Sequence, residues 1–263
     1  MVNRALTDGP AAPRATGDGA ASGRASGVSG VWRTLRLLDA DPLERAIAEP
    51  CDALILDPAG APQTPAAADV VAALSARAPR PPILVLVSVR EEGWEAAVAA
   101  LASSGVDGFA IGAVESAADV QQVGARLAVE EAKAGLEDGA LALVPLISTG
   151  GALFELPAIA AASDRLVALG WDGEALGVDL GAETGRDDGF WIDPLQTART
   201  LTLAAARAAG LPAIDCAWSG ATDDALSAEA SRARRDGFSG KIALDAGQAA
   251  IIAAAWSARP GQS

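Results

Sequence analysis

The chain contains no histidine and no tyrosine, and its only lysines are Lys133 and Lys241. Histidine is the side chain that most often transfers protons near neutral pH, and it is also the commonest zinc ligand. Proton transfer in this protein must therefore use carboxylates, lysine, water, or groups whose pKa a nearby arginine shifts. A histidine-based zinc site is excluded.

Basic residues are scarce in general. Twenty Lys and Arg stand against 34 Asp and Glu, which gives a formal net charge of −14 at pH 7. Such a charge opposes the phosphate contacts through which proteins bind nucleic acids. We therefore expect neither nucleic acid nor an anionic membrane surface as a partner. No run of 18 or more apolar residues occurs, so no membrane span is predicted.

Cysteine is almost absent, since Cys51 and Cys216 are the only two. They are too few for a disulfide framework, and each is predicted to be a small buried apolar residue in a reducing, cytoplasmic environment. Residues 1–30 are rich in Gly, Ala and Ser and lack the apolar core of a secretory signal. They are predicted to form a disordered tail, and residues 259–263 a short C-terminal tail.

Between residues 31 and 258, short Leu-rich or β-branched runs alternate with Ala-rich segments of helical periodicity. Eight such β-then-α units predict an α/β protein with one domain, a single closed (β/α)₈ TIM barrel. An open doubly wound sheet is the alternative, although no G-x-G-x-x-G follows the first run. The predicted strands are residues 35–39, 53–57, 83–87, 108–112, 141–147, 166–171, 212–215 and 242–245.

Several segments carry a family resemblance. VPLIST, residues 144–149, and WDGEAL, residues 171–176, resemble the P-L-I-E-T and W-G-A-E-D-L motifs of the HpcH/HpaI aldolase and citrate lyase beta-subunit family, which includes malyl-CoA lyases. GLPAID and DGFSGK, nearer the C-terminus, resemble the ending of that family. The resemblance covers about residues 35–258. It implies a phosphoenolpyruvate-binding-like TIM barrel and a magnesium-dependent carbon–carbon lyase acting on oxo acids or acyl-CoA.

The resemblance also shows which functional positions have changed. The two family magnesium ligands, a Glu and an Asp, correspond to Ser148 and Ala175, and a substrate-binding Arg corresponds to Leu86. A hydroxyl or methyl group cannot replace a carboxylate as a ligand of a hard cation. In addition, Asp39 and Asp41 flank the turn where the family has another substrate-binding Arg. The motifs therefore predict no metal site of the family type and a catalytically degenerate centre.

Some polar residues survive at predicted strand ends. Asp57, Glu115 and Asp215 are the remaining catalytic candidates, although each is also suited to capping a helix or holding a loop. Trp171 and Gln248 are the candidates for substrate binding, through the wall of the barrel mouth and the loop after the last strand. The sequence assigns no catalytic residue beyond these candidates.

Five aspartates end or directly follow predicted strands: Asp39, Asp57, Asp172, Asp215 and Asp245. Carboxylates at the C-terminal face of a barrel could converge, and Asp57, Asp172 and Asp215 would then bind a divalent ion. Alternatively, each aspartate is the N-cap of the following helix and the five need never meet.

Two further features are expected to be structural. Lys241 begins the last predicted strand, so we expect it at the end of the barrel opposite the mouth rather than as a Schiff-base nucleophile. The run ETGRDDGF, residues 183–190, is expected to form a solvated loop between two helices.

Three functions remain open at this point. The leading hypothesis is a degenerate, non-catalytic barrel that binds a small oxo acid or acyl-CoA, with no cofactor of its own although the family uses magnesium. The second is an active lyase or hydrolase that uses strand-end aspartates and a divalent ion on a neutral or cationic substrate. The third is an inactive subunit in an oligomer with an active paralogue, since the resemblance implies homo- or hetero-oligomers.

Overall fold

In the computed structural model, eight parallel strands close into a barrel, which confirms the predicted (β/α)₈ architecture. The structure describes residues 30–36, 51–58, 65–76 and 79–257. The barrel strands are β1 Gly30–Arg36, β2 Ala53–Asp57, β3 Ile83–Ser88, β4 Gly108–Gly112, β5 Ala142–Ile147, β6 Leu169–Trp171, β9 Ala213–Asp215 and β10 Gly240–Ala243. Each strand pairs with the next barrel strand along the chain, and β1 pairs with β10 to close the barrel. β6 pairs directly with β9, because the two strands between them form a separate sheet.

Helices surround the barrel, and none in the described segments is long and apolar enough to span a membrane. Most follow a strand directly, as the alternating sequence pattern predicts. Within the described residues they are α1 Pro65–Ser75, α2 Trp94–Leu101, α3 Ala117–Ala134, α4 Gly150–Ala160, α5 Gly173–Asp179, α6 Asp193–Ala208, α7 Asp223–Asp236 and α8 Ala246–Ser257.

Side chains alternate between the inside of the barrel and the helices outside it. Ile55, Ile214 and Ile242 belong to a cluster of residues from opposite strands that fills the interior. The chain neighbours of Ile55, which are Leu54 and Leu56, instead join the cluster between sheet and helices. The interior cluster consists of Trp32, Ala53, Ile55, Leu84, Ala110, Val144, Leu146, Ala168, Ile214 and Ile242. The same alternation separates strand-end residues into inward and outward sets.

The bounds of the first and last barrel strands differ from the sequence prediction. β1 runs from Gly30 to Arg36, so its last residue is an arginine, and Gly30 belongs to the sheet rather than to a tail. Asp39 and Asp41 lie outside the described residues, as do residues 1–29 and 258–263. β10 ends at Ala243, and Asp245 lies beyond it. The Asp245 carboxylate accepts a hydrogen bond from the backbone N–H of Gln248 at 2.8 Å, at the start of α8.

An antiparallel hairpin between α5 and α6 was not predicted. Its strands are β7 Arg186–Asp187 and β8 Phe190–Trp191. Asp188 and Gly189 join them with φ values of 47° and 80°, the left-handed pair typical of a tight hairpin turn. The segment lies between two helices and most of it is exposed, as predicted, but it forms a hairpin rather than an irregular loop, and its Arg186 side chain is only 13 % exposed. We call this element the β7–β8 hairpin.

Gly108 provides a test of the close strand packing. A Cβ atom at this position would lie 2.3 Å from the carbonyl oxygen of Ala142 on the neighbouring strand. Gly108→Ala should therefore lower the free energy of unfolding by about 3 kcal/mol, measured by urea denaturation. The matched control is Gly124→Ala within α3, where the nearest atom would be 3.7 Å away. This change should raise the free energy by about 0.5–1 kcal/mol, since alanine favours a helix. Equal stabilities of the two variants would contradict the packing.

Candidate functional site at the barrel mouth

A cavity opens at the C-terminal ends of the barrel strands, where active sites of such barrels lie. It consists of two adjoining hollows of about 320 Å³ and about 250 Å³. Both are lined by Asp57, Leu86, Leu146, Asp172 and Ala175, so we treat them as one site and call it the mouth cavity. The first hollow extends towards Trp171, Glu174, Cys216 and Ser219, and the second towards Ser88, Glu91, Ala113 and Ser148.

The three positions that the family resemblance predicts to be substituted meet in this cavity. Leu86 from β3, Ser148 directly after β5 and Ala175 in α5 all line the second hollow. The Ser148 hydroxyl accepts a hydrogen bond from the backbone N–H of Ala113 at 3.0 Å. Ala113 has a φ of 55°, an uncommon conformation for a residue with a Cβ. The two positions aligned with magnesium ligands therefore face the same space but supply a hydroxyl and a methyl group.

Acidic side chains also line the mouth cavity. Asp172 caps α5, because its carboxylate accepts hydrogen bonds from the backbone N–H groups of Glu174 at 3.1 Å and Ala175 at 3.0 Å. Burial raises the pKa of Asp172 above its usual value, and the charge of Glu174 acts in the same direction. Glu174 in turn accepts hydrogen bonds from the Ser219 N–H at 3.0 Å and hydroxyl at 2.6 Å. Among the described lining residues, every charged side chain is acidic: Asp57, Glu91, Asp172 and Glu174.

Asp215 does not belong to the mouth cavity. It follows the inward-facing Ile214 and therefore points outward, where it is completely buried. Its carboxylate accepts hydrogen bonds from Trp171 Nε1 at 2.8 Å and Arg199 Nε at 3.2 Å, and Lys241 Nζ lies 3.4 Å away. Burial acts to raise its pKa, but the charges of Lys241 and Arg199 outweigh burial and lower it. Asp215 is thus a buried, paired carboxylate.

The predicted three-aspartate metal site is therefore wrong. Asp57 and Asp172 line the mouth cavity, whereas Asp215 lies on the other side of the barrel wall. Within the part of the chain that the structure describes, no group of three or more His, Cys, Asp or Glu residues could hold a metal ion.

Lys241 occupies the same outer layer. It pairs in register with Asp215, so it does not lie at the opposite end of the barrel as predicted. Its Nζ donates to the Cys216 carbonyl at 2.6 Å and to Glu229 at 2.9 Å. Burial acts to lower the pKa of Lys241, but Asp215 and Glu229 outweigh it and raise the pKa. Lys241 is therefore a fully buried cation and not a nucleophilic amine.

Sequence and structure comparisons assign this architecture to a family. The family model described as HpcH/HpaI aldolase/citrate lyase matches residues 32–246. The chain belongs to the HpcH/HpaI aldolase/citrate lyase family. A search of curated protein sequences found no match.

Solved structures of this family resemble the chain. The citrate lyase beta subunit of Mycobacterium tuberculosis, complexed with oxaloacetate and magnesium, has a TM-score of 0.70 and 25 % identity, covering 88 % of this chain and 98 % of the other. CitE of the same organism, in complex with magnesium, acetoacetate and coenzyme A, has a TM-score of 0.71 and 24 % identity over 88 % and 82 %. RipC of Yersinia pestis has a TM-score of 0.67 and 21 % identity over 89 % and 97 %.

The remaining predicted site residues of this family member have defined positions. Trp171 lines the mouth cavity and packs edge-on against Trp191, with ring centroids 5.1 Å apart. The Gln248 side chain accepts a hydrogen bond from Leu244 N–H at 3.1 Å and donates to the Trp218 carbonyl at 3.1 Å. Gln248 is not among the lining residues of the mouth cavity, so its contacts order two loops instead of binding a substrate there.

Two other reactive groups are unsuited to chemistry in the mouth cavity. Glu115 forms an ion pair with Arg90 at 3.0 Å and is not among the residues that line the cavity. Cys216 lines the first hollow, but burial raises its thiol pKa well above the usual value and Asp215 adds to the effect. The protonated thiol is a poor nucleophile. Cys216 is also not joined to Cys51 in a disulfide.

The sequence contained two signals that would have improved the site prediction. Strand alternation places Asp215 and Lys241 opposite to Ile214 and Ile242, and hence outside the barrel. The Asp188–Gly189 dipeptide is a strong hairpin signal, and it would have predicted the β7–β8 hairpin.

The raised pKa of Asp172 leads to a stability prediction. Because its native-state pKa lies above that of an unfolded chain, ionisation costs native stability as the pH rises through the native-state value. Asp172→Asn keeps the N-cap but removes this cost, so it should be more stable than the wild type at pH 7. The difference should disappear at pH values below the unfolded-state pKa, where the aspartate is protonated in both states.

Urea denaturation at pH 7 and at about pH 3 would measure the effect. Asp245→Asn is the matched control, because Asp245 is an exposed carboxylate that also accepts a backbone N–H at the start of a helix. A loss of stability in Asp172→Asn at pH 7 would show that the buried carboxylate stabilises the mouth cavity.

Proposed function

We propose that this family member binds a small neutral or cationic organic molecule in the mouth cavity and does not catalyse magnesium-dependent carbon–carbon cleavage. One observation carries the proposal: Ser148 and Ala175 line the same hollow as Leu86. The positions that would hold magnesium and grip an anionic substrate thus share one space and carry neither carboxylates nor a guanidinium.

Magnesium does not fit the residues present at these positions. Mg²⁺ requires near-octahedral coordination by oxygen atoms and is usually held through one or two carboxylates. The Ser148 hydroxyl already accepts the Ala113 N–H, and Ala175 offers no ligand atom. In metal-dependent lyases the ion stabilises negative charge that develops on a carbonyl oxygen, a contribution of several kcal/mol. We infer that this contribution is missing here.

The charge of the cavity supports a change of ligand class. The relatives from M. tuberculosis were crystallised with oxaloacetate, acetoacetate and coenzyme A. An oxo acid or acyl-CoA would approach the carboxylates of Asp172 and Glu174, and the described lining supplies no cation that would attract it. Like charges repel strongly where water is excluded. A neutral or cationic molecule avoids this repulsion.

A second candidate is an active lyase or hydrolase that uses only two of the predicted aspartates. Asp57 and Asp172 both line the mouth cavity, and the raised pKa of Asp172 suits a proton donor. Activity on a neutral ester or hydroxy compound that is lost in both Asp57→Asn and Asp172→Asn would favour this candidate over simple binding.

A third candidate concerns assembly. Phe154 in α4 is 89 % exposed and Val178 in α5 is 81 % exposed. Leu180 lies near the start of α4, since its side chain would be 3.0 Å from a Cβ on Gly150. Large exposed apolar side chains often mark protein interfaces. Light scattering of the chain alone and of the chain co-expressed with a complete paralogue would distinguish a homo-oligomer from a mixed assembly.

The main proposal predicts no magnesium-dependent cleavage of citryl-CoA, malyl-CoA or citramalyl-CoA, because the ion and the substrate arginine are not held. A coupled assay of CoA release or of acetyl-CoA formation would test this, with a family member that carries both acidic positions as the positive control. Turnover by the purified chain that EDTA abolishes would contradict the proposal.

The alignment itself can be tested by restoring the two acids. The double variant S148E/A175D should place two carboxylates in the mouth cavity, so added magnesium or manganese should raise its thermal unfolding temperature through binding to the native state. Each single variant should respond weakly. Cleavage activity should remain absent, because Leu86 still occupies the position of a substrate arginine.

The control for charge is S148Q/A175N, which has nearly the same side-chain volumes as the double acid. Metal titration by calorimetry should show affinity only in the acidic double variant. Equal affinity in the wild type and S148E/A175D would contradict the alignment and would point instead to Asp57 and Asp172 as an existing metal site.

A further inference from the structure

A second cavity lies outside the barrel, between the β7–β8 hairpin, α6 and α7. Its volume is about 270 Å³, and we call it the hairpin groove. Residues on one face of α7, at spacings of three and four, form one wall: Ala225, Ala228, Glu229, Arg232 and Arg235. The small side chains of Ala225 and Ala228 leave space, and the hairpin and Trp218 form the remaining walls. The groove shares no residue with the mouth cavity.

The hairpin groove is positively charged in a strongly acidic protein. Four arginines line it, Arg186, Arg199, Arg232 and Arg235, against two carboxylates, Asp188 and Glu229. Arg186 and Arg199 are already in ion pairs, with Glu229 and with Asp215 and Asp236 respectively. Arg232 and Arg235 have no carboxylate partner among the described residues, and they lie three residues apart on the same helix face. An anion entering the groove would meet two available guanidinium groups.

Aromatic rings stack against guanidinium groups that line the groove. The Arg186 guanidinium is stacked between Trp191 at 3.5 Å and Trp218 at 3.8 Å, measured to the ring centroids. The Arg232 guanidinium lies 4.4 Å from the centroid of Phe190, a residue that is 52 % exposed at the edge of the groove. Aromatic rings and planar guanidinium groups favour a planar ligand.

Two hydrogen-bond donors of the groove lining are unsatisfied. Trp191 is only 7 % exposed, and its indole Nε1 has no partner within the described structure. Arg186 Nε, in the neighbouring strand of the hairpin, also lacks a partner there. Buried donors are normally paired, so an acceptor such as an ordered water is expected at each of them. Neither donor is exposed to the groove, so a ligand there would bind through other groups.

The walls of the groove are held by buried contacts. Arg186 forms a two-point ion pair with Glu229 at 2.6 and 3.1 Å, and Glu229 also accepts from the buried Lys241 at 2.9 Å. These contacts fix the hairpin against α7 and the barrel wall. A site on rigid elements loses little entropy when it binds a ligand.

We propose that the hairpin groove is a ligand site for a small aromatic carboxylate. The carboxylate binds Arg232 and Arg235, and the ring lies against Phe190, Trp218 and the methyl groups of Ala225 and Ala228. The volume accommodates a single substituted ring. The site does not depend on the function proposed for the mouth cavity, because the two cavities have no lining residue in common.

Calorimetric titration with benzoate tests this assignment, with benzamide as the neutral analogue and acetate as the carboxylate without a ring. Benzoate should bind, and both analogues should bind at least about tenfold more weakly. R232Q and R235Q should each weaken benzoate binding by roughly tenfold or more, since each removes a charged hydrogen bond. A228L should abolish binding by filling the groove without a change of charge. R126Q, an arginine change on α3, is the matched control and should bind benzoate like the wild type.

Circular dichroism and thermal unfolding would establish that each variant is folded. If an arginine variant does not fold, A228L still tests whether benzoate binds in the groove. The assignment is overturned if benzoate does not bind, if R232Q and R235Q bind benzoate as tightly as the wild type does, or if inorganic phosphate competes as well as benzoate. A change of oligomeric state in R232Q without benzoate binding would also overturn it and would assign the groove to a protein interface.

Discussion

The buried carboxylate of Asp215 is the constraint on which this side of the molecule depends. It is completely enclosed, and Arg199, Lys241 and the Trp171 indole surround it. Removing one partner of a buried ion pair typically costs about 3–5 kcal/mol, because the other charge is then left without compensation. The arrangement therefore fixes β9 and β10 against α6. Because the lowered pKa of Asp215 favours its charged form, this contribution to stability is lost as the pH falls through the native-state value.

The same network separates and supports two cavities. On one side, the hydrogen bond from its indole N–H to Asp215 holds Trp171 in place, and Trp171 lines the mouth cavity. On the other side, Lys241 and Glu229 hold Arg186 and the β7–β8 hairpin, which form the hairpin groove. The charged residues of the described mouth lining are acidic, whereas four of the six charged residues that line the groove are arginines, so the two cavities differ in charge.

Family membership and chemistry depend on different parts of the amino-acid sequence. Main-chain architecture depends on many apolar positions, which tolerate substitution provided that volume and pattern are kept. Metal-dependent catalysis depends on a few oxygen atoms at defined positions. The barrel thus remains recognisable at about 25 % identity to structures complexed with magnesium, whereas the function proposed here depends on Ser148 and Ala175, which carry no carboxylate. A family assignment therefore predicts where a site lies more securely than what it does.

The amino-acid pattern by itself determined the barrel, because eight alternating runs of β and α character fit a closed parallel sheet. It also determined that Leu86, Ser148 and Ala175 share one end of it, since strand ends meet at the same face. Strand alternation in the sequence places Asp215 outside the barrel, but only the tertiary structure decided which groups contact each strand-end acid. Asp57 and Asp172 face inward while Asp215 faces a buried Arg199 and Lys241 that are distant in sequence. The ion pairs and the hairpin groove likewise depend on side-chain contacts between segments far apart in the chain, and no local pattern encodes such contacts.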